Sequence, residues 1–122
     1  MTTAYWCVLA AALLPYLWTI LSKAGGGYDN SQPRLHEKHG WHLRASWAQA
    51  NAWEAFAPFA AAVIIAHLAE ANQLAIDRLA LGFIVLRVGH GIAYLCNLAT
   101  LRSALWFAGL ACVIGLFVVA SR

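Results

Sequence analysis

The sequence predicts an all-α fold, an integral membrane four-helix bundle, and three observations support this class. Of the 122 residues, 62% are hydrophobic and only 11% are charged, less than half the charged share that is usual for soluble domains. Four apolar runs each have roughly the 20 residues that a helix needs to cross a bilayer. The chain length suits one domain, and we assign residues 1–122 to it.

The first and second apolar runs flank the longest polar stretch of the chain. We expect helices at about residues 3–22 and 41–70, joined by a glycine-rich polar loop at about residues 23–40. Pro15 lies inside the first run, where neighbouring helices can compensate for a kink. No positive charge precedes this run and Lys23 follows it, the reverse of a cleaved signal peptide. We therefore predict that the first helix is retained.

The third and fourth runs follow after short connections. We expect helices at about residues 74–98 and 100–121, with a tight turn near Arg102. Four spans place both termini on one side of the membrane, and the long loop and this turn on the other side. The loop side has the larger excess of lysine and arginine, so the positive-inside rule makes it the cytoplasmic side.

Two of the predicted helices carry polar side chains along one face. These residues recur at intervals of three, four or seven, which places each set on one face of its helix. They are Arg44, Asn51 and Glu54 in the second helix and Arg87, His90 and Tyr94 in the third. Charged side chains are costly against lipid, so the two stripes should face each other, a partner subunit or a wet cavity.

Arg102 and Ser103 open the fourth helix on the same side of the membrane. They can converge with the two stripes on one cytoplasm-facing cavity, with Arg87 below it. Such a cavity suits a small anion that also carries an ammonium group, and a guanidinium favours a thiolate over a thiol. Structural roles compete with this interpretation. Arg44 and Arg102 could reach the lipid headgroups, and an ion pair of Glu54 with Arg87 could fix the helix register.

Two segments of the sequence resemble a known family. RASWAQANAWEAFAPF, residues 44–59, and RVGHGIAYLCNLATLRS, residues 87–103, are similar to the signatures of the MAPEG family, the membrane-associated proteins in eicosanoid and glutathione metabolism. The chain looks like a prokaryotic member related to the microsomal glutathione transferases. This resemblance implies a bacterial inner membrane and a site near the cytoplasmic face, and the orientation given by the positive-inside rule then places the termini in the periplasm.

The resemblance also implies a homotrimer that binds glutathione between neighbouring subunits. Arg102 and Ser103 match catalytic positions, at which the arginine stabilises the glutathione thiolate. The residues that match or extend the glutathione-binding positions are Arg44, Asn51, Glu54, Arg87, His90 and Tyr94. Two positions depart from the pattern. Trp47 stands where several members have an arginine, and Trp106 where some have a tyrosine.

The leading hypothesis is a membrane-bound, glutathione-dependent transferase or peroxidase. Glutathione is its expected co-substrate, and lipophilic electrophiles or hydroperoxides are its expected substrates. We expect membrane lipid and further copies of the chain as partners, and no nucleic acid. The alternative is a non-enzymatic bundle that binds a lipid or a small anion, or that supports a partner protein. An ion carrier is a weaker third reading, because the chain has no inverted repeat.

The loop motif HEKHGWH raises the question of a metal site. His36, His39 and His42, with Glu37, are residue types that can bind zinc. However, no cysteine joins them and solvated loop histidines are common. We therefore expect no metal, and we interpret the lone His67 of the second helix as structural.

Overall fold

The computed structural model describes residues 1–25 and 27–122, and within them it contains four α-helices. They are α1 (Thr3–Lys23), α2 (Gly40–Leu68), α3 (Gln73–Leu95) and α4 (Ala99–Ala120). Each helix is long and apolar enough to cross a membrane. The predicted fold class, an all-α membrane bundle of four helices, is confirmed.

The helices run up and down, so the bundle has two distinct ends. We call the end with the α1–α2 loop and the α3–α4 turn the loop end, and the end with both termini and the α2–α3 turn the terminal end. α2 and α3 pack against each other in the middle; α1 contacts both of them, and α4 packs on the other side against the same two helices. The polar stripes of α2 and α3 therefore lie on neighbouring elements.

Two helices end earlier than the apolar runs predict. α3 ends at Leu95, three residues before the expected limit, because Asn97 adopts a left-handed conformation with φ of 57°. The N–H of Leu98 then donates to the carbonyl of Ala93 at 2.9 Å, which is the Schellman arrangement. Glu70, with φ of 52°, ends α2 in the same way and also before its predicted limit.

The larger apolar core lies in the half of the bundle towards the terminal end. The rings of Phe59 in α2 and Phe83 in α3 stack with centroids 3.9 Å apart. Val63, Ile76 and Leu116 are completely buried around them. Burying side chains of this size contributes about 1.5 to 3 kcal/mol each relative to exposure in water, although inside a bilayer close packing replaces much of that driving force.

A smaller core lies near the loop end, around Trp18 of α1. Trp18 is only 3% exposed and packs against Ala48 and Ala52 of α2, with Tyr94 of α3 at the edge of this cluster. α3 accommodates the indole ring because residue 91 is glycine. A Cβ at Gly91 would lie 2.0 Å from a ring carbon of Trp18. This close approach holds α1 against the part of α3 that carries the polar stripe.

Candidate active site

A polar cavity of about 220 Å³ opens between α2, α3 and α4 towards the loop end. Five of the eight predicted site residues line it. They are Asn51, His90, Tyr94, Arg102 and Ser103, with Trp106 and Phe107 completing the wall. Three separate helices thus bring together side chains that lie far apart in the sequence.

A second, inner cavity of about 150 Å³ lies beside the first. Asn51, Glu54 and Arg87 form its polar end. The remaining wall is apolar apart from the indole nitrogen of Trp106, and it consists of Ala55, Pro58, Phe83, Trp106, Gly109, Leu110 and Val113. Asn51 and Trp106 line both cavities, so the two spaces meet at these side chains.

Arg102 is held in place by an aromatic side chain. Its guanidinium carbon lies 4.6 Å from the centre of the Tyr94 ring, a cation–π contact. His90, only 2% exposed, packs edge-on against the same ring with centroids 5.3 Å apart. A cation–π contact uses the face of the aromatic ring and leaves the N–H donors of the guanidinium available to another partner. Arg102 can therefore present fixed positive charge to an anion in the polar cavity.

Arg87 is bound to Asn51 and not to Glu54. Its side chain is 3% exposed, and Nη2 donates to Oδ1 of Asn51 at 2.5 Å. The sequence left open an ion pair with Glu54, but this carboxylate forms no ion pair within the described residues and is exposed on α2. Because Arg87 occupies the amide oxygen of Asn51, the amide nitrogen remains as the donor that Asn51 offers to the cavities.

Arg44 lies apart from the two cavities. Its Nε and Nη2 donate to the carbonyl oxygen of Leu95 at 3.3 and 3.1 Å. Leu95 is the last residue of α3, where carbonyl groups lack helical partners and a cation is favoured by the helix dipole. Arg44 therefore ties the start of α2 to the end of α3, a contact that residue spacing within one helix cannot reveal.

Trp106 is one of several cavity-lining residues whose position the sequence did not predict. It follows Arg102 by four residues in α4, which places the two side chains on the same face of the helix. The four-residue spacing from Arg102 is therefore a sequence signal that could have placed Trp106 in the site. Position 106 stood out in the sequence only as a departure from the family pattern, whereas in the structure Trp106 lines both cavities.

The loop histidines have separate partners. His42 donates from Nε2 to the carbonyl of Ala24 at 2.5 Å, and His36 packs edge-on against Tyr28. His39 and Glu37 form an exposed pair with 3.8 Å between Nε2 and Oε1. Across residues 1–25 and 27–122, no group of three or more His, Cys, Asp or Glu side chains is arranged to hold a metal ion.

Comparison with known proteins identifies one family. The model of the MAPEG family matches residues 3–122, which include all four helices and every residue that lines the two cavities. No curated protein matches the chain in a sequence comparison. The match extends well beyond the two short segments that carry the resemblance in the sequence.

Proposed function

The chain belongs to the MAPEG family of glutathione and eicosanoid metabolism, and on this premise we propose that it is a glutathione-dependent transferase or peroxidase. It is an integral, multi-pass membrane protein, and its proposed substrates are lipophilic electrophiles and hydroperoxides. One observation carries the proposal. The polar cavity brings Arg102 and Ser103 together with Asn51, His90 and Tyr94.

Arg102 and Ser103 activate the thiol in this proposal. A nearby guanidinium lowers the pKa of a bound thiol by stabilising its anion. The hydroxyl of Ser103 adds a hydrogen bond to the sulfur, and the cation–π contact with the Tyr94 ring fixes the position of the guanidinium. The thiolate, which is the reactive form of the thiol, is then present at neutral pH.

The same thiolate serves two reactions. In the transferase reaction its sulfur attacks an electrophilic carbon, a C–S bond forms, and the leaving group departs with its bonding electrons. In the peroxidase reaction it attacks the terminal peroxide oxygen, the O–O bond breaks, and the alkoxide takes up a proton. A second glutathione then attacks the resulting sulfenic acid, which gives the disulfide and water.

Glutathione carries two carboxylates and one ammonium group, and the cavities offer complementary charges. Glu54 is exposed on α2 beside Asn51 and pairs with the ammonium group in our proposal. Asn51 offers its amide nitrogen, while His90 and Tyr94 form the wall. Arg44 uses two donors on Leu95, and the other N–H groups of its guanidinium remain for a carboxylate of the peptide. Arg87 acts by fixing Asn51.

A second copy of the chain would cover the polar surface that one subunit leaves open. Glu54 is exposed within a membrane-spanning helix, which is costly against lipid. Only Gly109, Val113 and Leu116 of α4 are fully buried, and the face of that helix turned away from α2 and α3 is exposed in a single subunit. We therefore propose a homotrimer in a bacterial inner membrane, with periplasmic termini, glutathione bound between neighbouring subunits, and the site facing the cytoplasm.

A non-enzymatic bundle is the second candidate, and the contacts of two arginines favour it. Arg44 is bonded to Leu95 and Arg87 to Asn51, so two of the predicted glutathione ligands are already used within the chain. In this alternative the polar cavity binds a lipid headgroup or a small anion, and no thiolate forms.

Turnover by the detergent-purified protein tests the proposal. We expect conjugation of glutathione to chlorodinitrobenzene or reduction of cumene hydroperoxide, and a loss of about 100-fold or more in Arg102→Ala. Arg78→Ala is the matched control, because Arg78 is exposed in α3 near the terminal end and should keep full activity. The absence of both reactions in the wild-type protein would favour the non-enzymatic bundle.

A further inference from the structure

A third cavity opens at the loop end, on the opposite side of α2 from the two cavities described above. It has a volume of about 510 Å³, and α1, α2 and the loop between them form its walls. Gln49 lines this cavity and Asn51 lines the other two, and side chains two residues apart in a helix point about 200° apart. The polar residues of the lining are Thr19, Lys23, Arg34, His36, Lys38 and Gln49. We call this space the basic pocket, because no carboxylate of the described residues lines it.

The positive charge of the basic pocket is not neutralised within the described residues. Across residues 1–25 and 27–122 the one ion pair is that of His39 with Glu37, and neither residue lines this pocket. Lys23 contacts the face of Tyr28, with Nζ 5.0 Å from the ring centre, and this contact leaves its charge in place. Because like charges around one space repel one another, an anion between them is favoured.

Membrane topology alone does not explain this arrangement of cations. The positive-inside rule requires lysine and arginine on one side of the membrane, but it does not require them to surround one space. Lys23 ends α1, whereas Arg34 and Lys38 lie in the second half of the loop. The fold of the loop therefore brings together charges that the sequence keeps apart.

An exposed apolar strip continues from the basic pocket into the membrane. On α1, Tyr16 shares the face of Thr19 and lies about one turn deeper. On α2, Trp53 stands in the same relation to Gln49. The two aromatic rings meet edge-on with centroids 5.5 Å apart, and the side chains are 56% and 41% exposed. The pocket for an anion thus lies directly above a surface on which a hydrocarbon chain can pack.

We propose that the basic pocket binds the phosphate of an anionic phospholipid, one acyl chain of which lies on Tyr16 and Trp53. Basic pockets between membrane helices on the cytoplasmic side bind phospholipid head groups, and the positive-inside rule predicts that the loop end is on that side. Arg34 can bind two phosphate oxygens through its planar guanidinium, while Lys23 and Lys38 act as point charges. This site goes beyond the proposed function and does not depend on whether the chain is an enzyme.

Quenching of tryptophan fluorescence by brominated lipids tests both parts of the site. The full chain is reconstituted in phosphatidylcholine vesicles that contain phosphatidylglycerol with dibrominated acyl chains. Bromine quenches an indole that contacts the chain, and brominated phosphatidylcholine at the same mole fraction measures non-selective contact. We expect more quenching by brominated phosphatidylglycerol, with an excess that saturates as its mole fraction rises. This excess should disappear in Trp53→Phe and remain in Trp6→Phe, since Trp6 is near the terminal end.

Two charge variants test the contacts with the head group. Arg34→Gln and Lys38→Gln should each raise the mole fraction of phosphatidylglycerol that gives half of the excess quenching about fivefold, the effect of one cation near an anionic membrane surface. Both residues lie in the loop outside the helices, so the fold should be unchanged. Arg78→Gln and Arg122→Gln are the matched controls. They remove the same charge from exposed positions at the terminal end and should leave the excess unchanged.

Each of four results would overturn the inference. Equal quenching by the two brominated lipids would show that the pocket does not select an anionic head group. An excess that persists in Trp53→Phe would contradict the position of the acyl chain. Displacement of the lipid by inorganic phosphate, at an ionic strength at which chloride has no effect, would assign the pocket to a soluble phosphate. Weaker glutathione binding in Arg34→Gln or Lys38→Gln, with unchanged quenching, would assign it to the thiol site.

Discussion

The two ends of the bundle contain similar polar residues but use them differently. At the terminal end, side chains from α2 and α3 are bonded to one another and to the start of α1. At the loop end, the polar side chains surround two cavities. The buried side-chain polar atoms that lack a partner within residues 1–25 and 27–122 are Nε of Arg87 and the hydroxyl of Tyr28. Neither belongs to the terminal end.

The terminal end illustrates polar residues that serve structure. Oδ1 of Asp77 accepts the N–H of Ala4 at 2.8 Å and the side-chain amide of Gln73 at 3.0 Å. His67 donates from Nδ1 to the carbonyl of Val63 at 2.7 Å, so in its neutral form Nε2 accepts from the hydroxyl of Thr2 at 2.8 Å. Asp77 thus satisfies the free N–H of Ala4 in the first turn of α1, and His67 holds the Thr2 side chain, whose hydroxyl oxygen accepts the N–H of Tyr5. The interpretation of His67 as structural agrees with this contact.

The loop end differs because, apart from the bond between Arg87 and Asn51, its polar side chains contact aromatic rings and not one another. Tyr94 separates Arg102 from His90, and Trp106 lies between the two cavities. The comparison shows that polar residues in a membrane bundle do not by themselves indicate a ligand. A cavity beside such residues, lined by hydrogen-bond donors that have no partner in the protein, is a better indicator of a ligand site. Variants at the two ends should therefore have different consequences.

The largest expected effect on stability is that of Gly91→Ala, which disrupts the loop end. The new methyl group would overlap the Trp18 ring, and forced overpacking costs about 3 kcal/mol of unfolding free energy in unfavourable cases. The free energy of unfolding in detergent micelles, compared between the variant and the wild-type protein, measures this loss. Gly82→Ala is the control, because its nearest contact would be an ordinary 3.6 Å to the sulfur of Cys112. Equal stability of the two variants would show that Trp18 can move without cost.

Asp77→Ala should have the next largest effect and should act on stability alone. Removing a carboxylate that accepts two hydrogen bonds costs about 2 kcal/mol. Activity per folded molecule should stay at the wild-type level, because Asp77 lies at the opposite end from the cavities. The exposed neighbour Arg78 provides the control, with unchanged stability in Arg78→Ala. A loss of specific activity in Asp77→Ala would contradict the separation of the two ends.

Glu54→Gln should have the smallest of these effects, and it should change binding without changing stability. Glu54 is exposed and forms no ion pair within the described residues. Its loss should weaken glutathione binding roughly tenfold, as expected for one charged hydrogen bond. Calorimetry with glutathione and with an analogue that lacks the ammonium group tests whether Glu54 pairs with that group. An equal loss for both ligands would place the ammonium group elsewhere.

Much of the fold follows from the sequence, because four apolar runs of bilayer length define the four helices. The helix ends were less predictable. Asn97 and Glu70 adopt left-handed conformations that glycine usually marks in a sequence. Periodicity predicted one polar face on each of α2 and α3, and these faces line the two cavities. It does not fix the register between the two helices. Arg87 consequently meets Asn51 and not Glu54, one turn away on α2. Contacts such as that of Arg44 with Leu95 depend on the tertiary structure.

The central claim is that the loop end binds a thiol as its anion. The most direct measurement is the ultraviolet difference spectrum of the detergent-purified protein titrated with glutathione at neutral pH. We predict a saturable thiolate band in the wild-type protein and in Asp77→Ala, and its loss in Arg102→Ala. A wild-type protein without this band, or an Arg102→Ala variant that keeps it, would contradict the claim.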